Sequence, residues 1–241
     1  MIGAGFFNIE NIIKEGSFFN EYQPLWNTKT EEIFAYEALI RTEPRVNPIE
    51  LFQYGRENGL LYDFDTLAIL NAIKEYPNEF FQKYLLFINI FPSTLKHPEF
   101  TGFIRKLISD HPEIRGKIVF EINEDPAEAT LWKEEEFERG LLFLKKMGFL
   151  IALDDLRINP MILEKILANK PDFLKLDRKC SQNLSHSRDK QENIEWLVAY
   201  SHNKLVLVLE GIENKDDLVI AKQLGVPLLQ GYYIEKPHRL L

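Results

Sequence analysis

The feature that most limits how this chain can fold is a short apolar run closed by a charged or amide residue, repeated six times. Lys117-Ile118-Val119-Phe120 leads to Glu121, and Phe149-Leu150-Ile151-Ala152-Leu153 to Asp154-Asp155. Leu85-Leu86-Phe87-Ile88 ends on Asn89, Phe173-Leu174 on Lys175, Leu205-Val206-Leu207-Val208-Leu209 on Glu210, and Val226-Pro227-Leu228-Leu229 on Gln230. Runs this short and continuous, rich in Val, Ile, Leu and Phe, read as strands of a parallel sheet buried on both faces. Helical segments separate them, which is the pattern of repeated strand-helix units. Groups at the carboxyl ends of the strands of a parallel barrel project onto one face. The repetition therefore predicts that Glu121, Asp154, Asp155 and Glu210 meet there with Asn89, Lys175 and Gln230. The 241 residues suit one such barrel, which runs to about 250 residues.

Ahead of these runs, Glu21–Trp26 and Glu32–Ile40 flank the polar tetrapeptide Asn27-Thr28-Lys29-Thr30 and read as a hairpin. Its second arm ends in Glu37 and Arg41. Helices are predicted over Pro48–Asn58, Asp65–Glu75, Glu99–Asp110, Ile162–Ala168, Gln191–His202 and Asp216–Leu224, several stopped by Gly or Pro. Asp125-Pro126 reads as a helix start, with Asp as cap and Pro at the first position. Residues 1–19 read as a helical extension packed on the main body 20–241, with Asn8 capping a helix that carries Ile9, Ile12 and Ile13.

Other classes are disfavoured. A net charge of −8 opposes a grip on polymeric nucleic acid, which needs a basic face. No stretch approaches the ~20 apolar residues of a membrane span, and the amino terminus has no secretory pattern, so a cytoplasmic location is expected. The single cysteine, Cys180, excludes an intrachain disulfide, and the five scattered histidines show no paired metal spacing.

If Glu37, Glu121, Asp154, Asp155 and Glu210 share one cleft, they repel one another. Two unit charges 4 Å apart cost about 4 kcal/mol at an effective dielectric of ~20. The cluster must then be partly protonated or hold cations. Oxygen donors with an amide from Asn89, and no Cys or His, point to Mg²⁺ or Mn²⁺. Adjacent aspartates suit two ions sharing a bridging carboxylate, an arrangement that favours displacement at phosphorus. Lys175 and Arg41 add the cationic groups that a phosphodiester needs.

Six motifs in order extend this reading. Glu37-Ala38-Leu39-Ile40-Arg41, Glu121-Ile122-Asn123-Glu124, Asp154-Asp155-Leu156-Arg157, Lys175-Leu176-Asp177, Glu210-Gly211-Ile212-Glu213 and Gln230-Gly231-Tyr232-Tyr233-Ile234-Glu235-Lys236-Pro237 together resemble the EAL domain, the bacterial phosphodiesterase module for cyclic di-GMP. The resemblance implies an α/β fold, a TIM-like (β/α)₈ barrel with an antiparallel first strand, and hydrolysis of cyclic di-GMP to linear pGpG. It implies that Glu37, Asn89, Glu121 and Asp154 hold one metal ion, and Asp154 with Asp155 the second, with Glu210 nearby. Lys175 and Gln230 would hold the attacking water, with Glu210 as base. Arg41 would bind a substrate phosphate and Asp65 a guanine, with Gln23 and Leu39 also facing substrate. Glu124 would steady the loop after the paired aspartates. Members often dimerise near that loop, which extends the expectation to a homodimer.

Three departures qualify the resemblance. The family's D-D-F-G-T-G-Y-S-S stands here as Asp154-Asp155-Leu156-Arg157-Ile158-Asn159-Pro160-Met161-Ile162, so both glycines are replaced; arginine reaches left-handed backbone angles only with strain. A compensating Arg157–Glu124 pair is expected. Phe91 replaces a serine, with Ser93 two residues on, and Asn123 replaces a threonine. Degenerate loops of this kind support an alternative, a cyclic di-GMP receptor or interaction module that binds without turnover.

Overall fold

A computed structural model describes residues 9–123 and 125–240. Eight strands close into a barrel in chain order: β1 (Phe19–Asn27), β2 (Ile33–Arg41), β3 (Leu85–Asn89), β4 (Ile118–Asn123), β5 (Leu150–Leu156), β6 (Phe173–Leu176), β7 (Val206–Leu209) and β8 (Leu228–Leu229). β1 runs antiparallel to both neighbours, β2 and β8, and every other pairing is parallel. The hairpin and the six polar-ended runs all form strands, so the (β/α)₈ expectation with an antiparallel first strand holds.

Strand side chains alternate between faces with period 2. One residue from each strand fills the barrel axis: Leu25, Ala35, Phe87, Val119, Ala152, Phe173, Val208 and Leu228. The outward-facing residues pack under the helices in two larger clusters, one around Tyr76, Leu86 and Phe120, the other around Leu174, Leu197 and Leu209. Apolar residues are therefore needed on both faces, which is why the runs are continuous.

Helix limits differ where burial overrides local signals. The helix predicted from Asp65 begins at Leu61, because Leu61 and Phe64 are buried. The helix predicted from Gln191 already begins at Arg188, and short turns precede it at Arg178–Ser181 and Leu184–His186. Asp125 does cap, accepting from the Ala127 amide, but only a single 3₁₀ turn follows, Pro126–Glu128. The helix Ile9–Glu15 buries Ile12 and Ile13 against Phe18, Leu51 and Phe64; Asn8, its expected cap, lies outside the described residues. Among the described residues no helix is long and apolar enough to cross a membrane.

Candidate active site

The period-2 pattern that fills the barrel axis also builds the site. Two residues beyond each axial residue, toward the carboxyl ends of the parallel strands, stand Glu37, Asn89, Glu121, Asp154, Lys175, Glu210 and Gln230; antiparallel β1 contributes Gln23, two residues before Leu25. One polar side chain per strand thus forms a ring directly above the apolar plug, at the end where the strands open.

Lys175 is its hub. Its fully buried ammonium lies 3.0 Å from Glu37 Oε2, 2.6 Å from Glu121 Oε1, 3.2 Å from Asp154 Oδ1 and 2.7 Å from Glu210 Oε1. An ammonium has three protons, so four carboxylates cannot all be served. Glu121 Oε1 and Asp154 Oδ1 lie in ion-pair range yet outside hydrogen-bonding geometry. Gln230 Nε2 donates to Glu37 Oε2 at 2.7 Å, and Asn89 Nδ2 to Glu121 Oε2 at 3.4 Å.

Crowding sets the protonation states. Burial acts to raise the Glu37 pKa, but the Lys175 charge and the Gln230 hydrogen bond outweigh it and hold Glu37 below the ordinary value. Burial and the Glu37 charge push Glu121 well above it. Burial likewise raises Asp154 to about 6 and drives Glu210 well up, against the pull of Lys175. Desolvation opposes the ammonium of Lys175, yet the surrounding carboxylates keep its pKa well above the lysine norm.

Asp155 is placed differently. The β5–β6 register shifts between Leu153 and Leu156, and Asp155 takes the left-handed conformation, φ +56°. Such a bulge re-aims side chains beside a site. It leaves Asp155 exposed, where Asn123 Nδ2 donates to its Oδ2 at 2.6 Å. The Asn that departs from the family threonine therefore anchors the second aspartate. Oxygens of Asp154, Asp155 and Glu210 lie within 4.8 Å of one another. With Glu37 and Glu121 added, five carboxyl groups gather about one ammonium, and with all five ionised four negative charges would be left unbalanced. An all-oxygen donor set of that excess charge fits hard divalent cations.

The altered segment follows without backbone strain. Among the described residues the only left-handed position in it is Asp155; Leu156, Arg157 and Asn159 are not left-handed, so this path does not call for the missing glycines. Leu156 is buried, Arg157 is exposed, and Asn159 Oδ1 accepts from the Met161 amide to open the helix Ile162–Asn169. Glu124, the expected partner of Arg157, lies outside the described residues.

Above the ring opens a cleft of about 420 Å³. Gln23, Glu37, Leu39, Asn89, Asp154, Asp155, Glu210 and Gln230 line it, as do Asn123, Asp177, Arg178, Gly211, Glu213, Gly231 and Tyr232. Sequence reasoning gave no site role to this second group, although Asn123, Asp177 and Tyr232 continue the period-2 pattern by one more step from Glu121, Lys175 and Gln230. Gly231 is required where it stands, since a Cβ there would lie 2.2 Å from the Ile212 carbonyl oxygen.

Two expected substrate residues do not line this cleft. Arg41 is held by Glu21, with Nε 2.8 Å from Oε2. Asp65 is 1% exposed and accepts from the Phe91 amide at 3.0 Å. Burial lifts its pKa to about 7, against the pull of the nearby Thr94 hydroxyl and the Phe91 amide hydrogen bond. Phe91 itself packs on Phe52, and Ser93 bonds Glu128, which Arg56 also contacts.

Comparison with known proteins agrees with this geometry. The chain is 27% identical over 217 residues to the cyclic di-GMP phosphodiesterase TpdA of Vibrio parahaemolyticus, covering 90% of this chain and 36% of that protein. The chain spans about a third of the length of the curated relatives it matches. The FimX EAL domain of Pseudomonas aeruginosa bound to cyclic di-GMP superposes with a TM-score of 0.84 at 21% identity, over 96% of this chain and 95% of that one. A manganese and cyclic di-GMP complex of Klebsiella pneumoniae BlrP1 superposes with a TM-score of 0.81 at 23% identity, over 92% and 56%. The EAL domain model matches residues 8–237, and with its motifs gathered at one barrel mouth the chain belongs to the EAL domain family.

Proposed function

We propose that this chain is a cyclic di-GMP phosphodiesterase that opens one phosphodiester bond to give linear pGpG, using two divalent cations, Mg²⁺ or Mn²⁺. The observation that carries the reading is the completeness of the ring: all eight strands contribute a polar side chain, and its carboxylates outnumber its single ammonium. The phosphodiesterase relatives and the ligand-bound neighbours support the same substrate.

In this reading Glu37, Asn89, Glu121 and Asp154 would hold one cation, and Asp154 and Asp155 would hold the other, with Glu210 alongside. Bound cations supply charge against the phosphoryl oxygens and acidify water. Gln230 from the cleft lining and Lys175 from just beneath it, turning a proton from one of its four carboxylates, would orient the attacking water. Glu210, whose side chain is 17% exposed and whose pKa is raised by burial, accepts its proton. Gln23 and Leu39 contact the nucleotide, and Glu124 steadies the segment after Asp155. Arg41 would reach substrate only by leaving Glu21.

The receptor reading has its own support in the segment Leu156–Met161, where neither family glycine is retained. One experiment separates the two. Purified protein is incubated with cyclic di-GMP and Mg²⁺ or Mn²⁺, and pGpG is followed by chromatography. Turnover that Glu37→Ala abolishes supports the enzyme; tight binding without pGpG supports the receptor; neither binding nor turnover refutes both.

A further inference from the structure

We infer that Arg178 is the cleft residue that binds the phosphodiester of cyclic di-GMP that is not cleaved, an inference that rests on the phosphodiesterase reading of the same cleft. Among the described residues lining the cleft, Arg178 is the one cation. Lys175 is fully buried and committed to four carboxylates, and Arg41 is engaged by Glu21 outside the lining. Cyclic di-GMP carries two phosphodiesters. The one that reacts would sit over the ring, whose carboxylates would hold the divalent cations that offset its charge. The other must lie in a cleft whose remaining ionisable lining, Asp155, Asp177 and Glu213 among it, is acidic. Without a cation there, the cleft would repel the second phosphate.

Arg178 is built to that purpose. Its side chain is 62% exposed, and its ion pair with Glu213 is long, 3.9 Å. With the Gln182 amide turned so that its oxygen faces the guanidinium, that oxygen accepts from Nη2 at 2.8 Å and Nε at 3.1 Å. This steadies one edge of the planar fork, and the Nη1–Nη2 edge suits two phosphoryl oxygens. The stem is fixed as well. Gly211, at φ +70°, packs so closely that a Cβ on it would lie 2.3 Å from Arg178 Cβ. The left-handed Gly211 thus sets the cleft wall against the arginine.

The test compares Arg178→Ala and Arg178→Lys with the parent on two substrates in Mn²⁺: cyclic di-GMP, and bis(p-nitrophenyl) phosphate, which has a single phosphodiester. Arg178→Ala is expected to raise KM for cyclic di-GMP about tenfold, the size of one lost charge-assisted contact, with kcat within about twofold. Hydrolysis of bis(p-nitrophenyl) phosphate stays unchanged, and Arg178→Lys recovers part of the loss. An unchanged KM, or equal losses on both substrates, overturns the inference. If the parent binds cyclic di-GMP without cleaving it, calorimetry in Ca²⁺ reads the same contact: Kd about tenfold weaker in Arg178→Ala supports the assignment, and equal Kd overturns it alone. A parent chain that neither binds nor cleaves cyclic di-GMP overturns the reading of the cleft and this inference with it.

Discussion

Glu121→Gln should make the cation-free protein more stable while weakening its hold on cations. Glu121 Oε1 is 2.6 Å from the Lys175 ammonium, an attraction of about 6 kcal/mol at an effective dielectric of ~20. The contacting oxygens of Glu37, Asp154 and Glu210 lie 3.0, 3.2 and 2.7 Å from the same nitrogen, so each is at most about 6 Å from Glu121 Oε1. Each then repels an ionised Glu121 by at least about 3 kcal/mol. With all three ionised the repulsions exceed the one attraction by roughly 3 kcal/mol; with Glu210 protonated they about cancel it, and the cost of burying the charge then decides the sign. The sign agrees with the raised pKa of Glu121. A carboxylate whose folded pKa is raised loses stability as pH climbs above its unfolded value of about 4.3. The advantage of Glu121→Gln in EDTA is therefore small near pH 4 and grows to about 2 kcal/mol by pH 8. For a chain of this length that is a Tm rise of about 4–8 °C. Adding Mn²⁺ should reverse the order, because cation binding stabilises the parent by linkage and the variant lacks one ligand charge. Thermal scans at several pH values, with EDTA or Mn²⁺, read both effects. A variant less stable than the parent in EDTA at pH 8, or one gaining as much from Mn²⁺, refutes the reasoning.

Two further perturbations test other parts of the scaffold. The Asp65 carboxyl, lifted to about 7 by burial, keeps its proton in the fold after the unfolded chain has lost it. Stability from this group therefore falls between about pH 4 and 7 and is level above. Asp65→Asn should remove that slope, worth up to about 4 kcal/mol, as read by urea titrations across the range; an unchanged slope contradicts the assignment. Gly231→Ala should lower Tm by several degrees, since its Cβ meets Ile212 backbone atoms at 2.2 and 2.3 Å and overpacking costs about 1–3 kcal/mol. It should also cut turnover, by shifting the neighbouring Gln230 amide from Glu37; normal stability and activity together would exclude the close approach.

Much of the site was legible because two constraints coincide in each strand. The axial residue must be apolar, and the next inward residue lies two positions on, so a run ending in a polar residue marks both the plug and the ring. Glu121 above Val119 and Lys175 above Phe173 are read directly from that spacing. Arg178 was not legible. It follows its strand by two residues, in a short turn, and nothing local distinguishes a lysine or arginine in a loop from a solvated one. The pairing of Arg41 with Glu21 was hidden for a related reason: the two residues are twenty apart, and the β1–β2 register brings them together. The expected strain after Asp155 also failed to appear, because the left-handed turn falls on Asp155 itself and the replaced glycine positions lie past it.

The amino-acid order was enough to specify the strand-helix barrel and the ring of polar side chains, because period and burial act between near neighbours; the reversed first strand came from the motif resemblance, not from that periodicity. How that ring is charged was settled by the closed fold. Lys175 becomes the hub of four carboxylates only when strands from across the chain enclose it, and removing water from them is what raises Glu121, Asp154 and Glu210. Which cation faces the cleft, and which is locked away, likewise depends on distances that exist only once the barrel has closed.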